Sequence, residues 1–157
     1  MPPLGRTTCA AAALAMATFA ALPPIAAHEG ASGVVKERMD AMKSMGKAVK
    51  AMSERAKSGR DLTAIRPDAQ AIRRLAANIA ALFPAGSTQH PTQAKAAIWQ
   101  NWADFESRAK ATESESEKLA SIDARDAKAI SAQLRALSQA CSGCHERYRA
   151  KTGHGHM

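Results

Sequence analysis

Ile130, Leu134, Leu137, Cys141, Cys144 and Tyr148 step along the chain by four and three residues without a break. On a helix such steps fall on one side and form a seam that must be buried against other helices. Two of the inward positions are cysteines, so whatever these thiols bind has to lie within the packed protein. The same cysteines bound the run Cys141-Ser142-Gly143-Cys144, and His145 follows at once. A Cys-x-x-Cys-His run is the attachment signature of c-type haem. Sulfurs three residues apart share a helix face and can bond the two vinyl groups of one porphyrin edge. The adjacent imidazole offers a neutral nitrogen to the iron as proximal ligand. Two other chemistries use such cysteines. A redox dithiol goes with a βαβ surrounding, and nothing here resembles one. Structural zinc takes four ligands, and only His154 and His156, in a Gly-rich tail, lie nearby. The residues favour one covalently attached haem c, with Cys141 and Cys144 as its anchors and His145 on the metal.

No stretch alternates apolar and polar residues as a strand would, and alanine is abundant, so the chain reads as all-α. A first helix is expected from about Gly33 to Lys57, stopped at Ser58-Gly59. A second starts near Pro67, which suits a first helical turn, and runs to Phe83. Residues 84–91, with Pro84, Gly86 and Pro91, form a loop. A third helix runs from a Thr92 cap to about Ala120, weakest over Ser114–Glu117, and a fourth from an Asp123 cap to about Ala150. The second helix repeats the inward spacing with Ile72, Leu75, Ile79 and Leu82. The third follows it more loosely with Ile98, Trp102, Phe105, Ala109 and Leu119. Four helices with short connections predict an antiparallel four-helix bundle with haem inside.

The first helix carries Val35, Met42 and Val49 at spacings of seven, with Arg38, Met45 and Met52 at the alternate inward positions. A buried arginine is unfavourable unless paired. A haem propionate would pair it by a charge-assisted contact; otherwise its long stem can carry the charge out to solvent. Met39, Met42, Met45 and Met52 crowd one side. Methionines at helical spacing are ordinarily core packing, the reading for three of the four, while one can meet the iron from the face opposite His145.

Residues 1–27 read as a secretory signal peptide: one positive charge at Arg6, a small-residue apolar run from Cys9 to Leu22, and Ile25-Ala26-Ala27 before the cleavage point. That run falls short of the roughly twenty residues a membrane span needs, so no stable membrane anchor is expected. Residues 28–157 then form one domain, with both remaining cysteines in the haem motif and a periplasmic location that suits haem attachment. The net charge of +8 is spread along the helices. No nucleic-acid motif accompanies it, so it points to acidic redox partner proteins.

The chain resembles the cytochrome c′ family. The likeness rests on Cys141 through Arg149 in the last helix and on Arg38 with Met42-Lys43-Ser44-Met45-Gly46 in the first. Leu82-Phe83-Pro84 with Gly86-Ser87, and Ala97-Ile98-Trp99 through Phe105, add to it. The resemblance implies that Met42 faces the distal side of the haem. Low-spin members have methionine, Lys and a later Gly there, as in Met42, Lys43 and Gly46; high-spin members have an apolar residue that leaves iron open to small gases. It implies further that Arg38 contacts a propionate and that Arg149 packs beside the proximal imidazole. Lys36-Glu37 departs from the aromatic that many members carry before that arginine. Members often pair through their first two helices, so a homodimer is compatible with the resemblance.

Two functions follow from the distal position. A bound Met42 thioether suits an electron carrier, because the iron stays six-coordinate and methionine raises the potential. An unbound one suits capture of nitric oxide or carbon monoxide. A non-haem metal site from His28, His90, His154 and His156 is the remaining alternative. No Ser/His/Asp set, phosphate loop or carboxylate pair suggests an enzyme.

Overall fold

The structure, a computed structural model, describes residues 32–151. The signal-like segment and His28, His154 and His156 lie outside them. Five helices follow in order: α1 Gly33–Ser58, α2 Ile65–Ala77, α3 Ala97–Gln100, α4 Trp102–Ser121 and α5 Ala127–Tyr148. Short 3₁₀ turns at Leu62–Ala64 and Ala80–Leu82 bracket α2. α3 and α4 together make one arm, so the architecture is the expected four-helix bundle. Among the described residues no strand forms, only one isolated bridge between Ala94 and Arg149.

α1 ends where Gly59 takes φ 66°, a left-handed conformation that glycine adopts without a Cβ penalty. The second and third arms differ from the continuous helices expected, and both breaks fall at asparagine. Asn78 follows α2 and gives its side-chain amide to the Arg74 carbonyl at 3.0 Å. Asn101, with φ −130° and ψ 48°, separates α3 from α4 and gives its amide to the Ala97 carbonyl at 3.0 Å. In each case a short polar side chain competes for a carbonyl that the backbone ladder would use.

Helix starts also differ. Asp126, not Asp123, caps α5 by accepting from the Ala129 N–H at 2.8 Å, while Asp123 is taken up by Arg125. Thr92 does not cap a helix; its hydroxyl accepts from the Ala94 N–H two residues on. α2 begins two residues before Pro67, and α5 stops at Tyr148.

Seam residues Ile130, Leu134, Leu137, Phe105, Ile98, Leu119, Ile72 and Ile79 are buried together with Met45 and Met52. The looser spacing of the third arm has a simple cause: Thr112 and Ser116 take the two missing seam positions and are buried there. Their hydroxyls donate to the carbonyls of Arg108 and Thr112, one turn back, so neither is left unsatisfied. Ser114–Glu117 is helical throughout, and Gln133 of α5 donates to the Glu115 carbonyl across the interface. α2 packs on α1 and α4, and α5 on α4 and more sparsely on α1, which puts α1 and α4 at opposite corners.

Candidate haem site

α5 carries the motif. Cys141 and Cys144 are half-buried at the margin of the core, while Tyr148, one turn beyond Cys144, is buried. Burial pushes both thiols above the ordinary cysteine range; at Cys144 the nearby Arg108 opposes that shift. His145 is exposed by surface area, yet the protein around its ring lowers its basicity, with the Arg149 charge adding to the effect. A depressed pKa keeps the imidazole neutral, the form that binds metal. Arg149 lies just past the helix end in extended backbone, and its Nε donates to Gln93 Oε1 at 2.6 Å. It is thus near His145 but is held by the loop before α3.

The methionines of α1 separate by environment. Met45 and Met52 are buried, Met39 is 43% exposed, and Met42 is half-buried and packs on the core. Met39 is therefore not core packing, which corrects the sequence reading for that residue.

Arg38 is buried, so its charge does not reach solvent. Its Nη1 donates to Ser87 Oγ at 3.0 Å, and its Nη2 to the Ser87 carbonyl at 2.6 Å and Thr92 Oγ1 at 2.7 Å. The guanidinium also stands 4.8 Å from the Phe83 ring centroid, a favourable cation–π placement. Neutral acceptors of the 84–92 loop therefore satisfy an inward arginine for which the sequence offered a propionate or solvent. The Nε–H and one Nη1–H remain for such a partner.

That loop is a strap across one end of the bundle. Arg38 ties it to α1, and Trp99 Nε1 donates to the Phe83 and Pro84 carbonyls at 3.0 and 3.1 Å. Its last residues pair with the end of α5, Lys95 N–H to the Tyr148 carbonyl at 2.9 Å and Ala150 N–H to the Gln93 carbonyl at 2.8 Å. Phe105 meets Phe83 and Tyr148 edge to face and Trp102 at a tilt, with centroids 4.9 to 5.5 Å apart. The separate sequence motifs thus converge on the end that holds Cys144 and His145.

Asp104 and Arg108 of α4 escaped the sequence reading. Asp104 accepts from Arg108 Nε at 2.8 Å and from the Tyr148 hydroxyl at 2.5 Å, with Arg147 at 3.4 Å. Arg108 and then Tyr148 hold its carboxyl at a pKa of about 2. Arg108 Nη1 also donates to the Gly143 carbonyl at 3.1 Å, inside the haem motif. Nothing in the linear sequence singles out this pair except its i, i+4 spacing, which is common on exposed helices.

The residues present fit a covalently held haem. Two sulfurs on one face, a neutral imidazole beside them, and half-buried Met42, Trp99 and Trp102 packed on the core offer donors and apolar surface of the kind a porphyrin needs. Among the described residues no group of three His, Cys, Asp or Glu side chains forms that could hold a bare metal ion.

Comparison with known proteins agrees. Residues 33–149 match the family model described as Cytochrome C′. The chain is 32% identical over 123 residues to cytochrome c-556 of Agrobacterium tumefaciens (strain II Chrys), covering 76% of this chain and 99% of that one. Its fold is similar to a nitric oxide complex of a variant of cytochrome c prime from Alcaligenes xylosoxidans, at a TM-score of 0.68 and 26% identity, covering 75% of this chain and 94% of that one. It is also similar to a cytochrome c′ described as showing ligand-controlled dimer dissociation, at a TM-score of 0.70 and 24% identity, covering 78% and 99%. The chain belongs to the cytochrome c′ family, the class II c-type cytochromes, and with that family goes a single covalently attached haem c. No helix among the described residues is long and apolar enough to cross a membrane.

Proposed function

We propose that the chain is an exported electron carrier and not an enzyme, with its haem iron bound by His145 of α5 and by the Met42 thioether of α1. The observation that carries this reading is the position of Met42. It alone of the four methionines on that side of α1 is neither sunk in the core nor turned to solvent. Lys43 and Gly46 follow it, as in the methionine-ligated pattern. The haem, when bound, supplies a one-electron couple. The chain's part is to hold a sulfur and an imidazole nitrogen on two helices, α1 and α5, that the strap ties together through Arg38 and through the Lys95 N–H on the Tyr148 carbonyl. Iron held by these two side chains would have little to rearrange when its charge changes. Arg38, through its remaining N–H groups, is assigned to a propionate, and Arg149 to the surroundings of His145. Periplasmic export, acidic redox partners and a homodimer through the first two helices belong to the same proposal.

Replacing Met42 with alanine tests it. The variant should turn from low-spin to high-spin and take up carbon monoxide faster, because no side chain has to leave first. A variant with unchanged spin state would remove Met42 as a ligand.

The second reading is capture of small gases. It draws support from the nitric oxide complex formed by a structural relative of 26% identity. It requires Met42 to pack beside the iron without binding it.

A further inference from the structure

α1 and α4 stand at opposite corners of the bundle, and their charges differ in sign. α1 has seven basic and three acidic side chains, whereas α4 has three basic and five acidic ones. α1 is therefore the positive corner of the molecule, and α5, with Lys128, Arg135 and Arg147 against Glu146, continues that excess on one side of it. Between these helices runs an open groove of about 470 Å³, with Ala56 and Leu134 on its floor and Ser53, Lys57, Arg135 and Ser138 along its walls.

Helical register extends both walls. On α1, Met39, Lys43, Gly46, Lys50, Ser53 and Lys57 step by four and three. On α5, Ser131, Arg135, Ser138, Ser142 and His145 do the same, and neither stripe contains an acidic residue. Lys57 and Arg135 enter no ion pair among the described residues; Lys50 has only a 3.9 Å contact with Glu54. Met39 at the far end of the α1 stripe is the exposed large apolar side chain of the described residues. His145 stands seven residues beyond Ser138, about 10 Å along the helix.

We infer that this α1–α5 face, from the groove to His145, is the docking surface for an acidic redox partner protein. The inference rests on the electron-carrier reading and adds where the partner sits. Partner carboxylates meet Lys43, Lys50, Lys57 and Arg135, and an apolar side chain enters over Ala56 and Leu134. The opposite sign of α4 turns the molecule during approach so that the α1 corner leads, and the acid-free stripes on α1 and α5 then receive the partner. A second copy is a poor occupant, because it would set like charges against each other.

The test uses the haem-loaded, reduced protein and hexacyanoferrate(III), which takes one electron from the ferrous protein and becomes hexacyanoferrate(II), with no proton moved. Lys57→Glu with Arg135→Glu is compared with Arg74→Glu plus Lys110→Glu, which changes net charge equally on α2 and α4. At low ionic strength the groove pair should slow the reaction about tenfold, and the control pair much less. A decaglutamate peptide should slow wild type and control but leave the groove variant unaffected. Equal slowing of both variants would overturn the docking surface. Competition by free glutamate as strong as by decaglutamate, or a dimer abolished by the groove substitutions, would assign the groove to a small anion or to a second copy and overturn it too. A wild type that passes no electron to the reagent would instead overturn the carrier reading.

Discussion

At the scale of single residues, Arg38 shows how a buried charge can be held without an opposite charge. Its three hydrogen bonds go to a hydroxyl, a carbonyl and a second hydroxyl, all from the strap. Burial lowers its basicity, but from a value high enough that it stays charged at neutral pH. Arg38→Leu removes the donors and leaves the Ser87 carbonyl and Thr92 hydroxyl to find water. The expected loss is about 2–3 kcal/mol of stability, read from denaturant unfolding of the haem-loaded protein. The haem potential should fall as well, because a lost positive charge favours the more positive oxidised haem. Unchanged stability would contradict the strap contact, and an unchanged potential would contradict the propionate assignment.

At the scale of elements, Asp104 joins α4 to α5. Its folded pKa of about 2 lies below the ordinary carboxylate value of 3.8. An acid with a depressed folded pKa contributes stability that is present above its unfolded pKa and is lost as pH falls through the folded one. The window is therefore from about pH 4 down to about pH 2. Asp104→Asn should lower stability at pH 7, and the gap to wild type should close across that window in acid titrations followed by circular dichroism. A gap that stays constant with pH would mean that the carboxylate charge does not matter.

Most of this level was legible in the sequence, for definable reasons. The steps of four and three located all four arms and the inward cysteines. Asn78 and Asn101 were not legible as breaks, because a mid-helix asparagine gives its amide to a carbonyl only where tertiary packing lets the backbone turn. Asp123 and Asp126 are chemically equivalent caps, and only the backbone decides between them. Partners far apart in sequence, Arg38 with Ser87 and Asp104 with Tyr148, depend on the closed bundle. The arginine's burial could be read from spacing; its acceptors could not.

At the scale of the whole molecule, the haem belongs to the core as much as any side chain does. Cys141 and Cys144 pack on the same core as the buried seam residues, so haem bonded to them would add its apolar surface to that core. Cys141→Ser together with Cys144→Ser should abolish acid-stable haem attachment and lower the unfolding midpoint. Haem that stays with this variant through acid–acetone extraction would contradict thioether attachment at these positions. The functional account as a whole depends on two helices at adjacent corners, α1 and α5, each giving one ligand to the same iron. The most direct measurement is the absorption spectrum of the purified wild-type protein, oxidised and reduced. The account predicts a low-spin, six-coordinate haem in both states; a high-spin spectrum in both would contradict ligation by Met42 and favour gas capture.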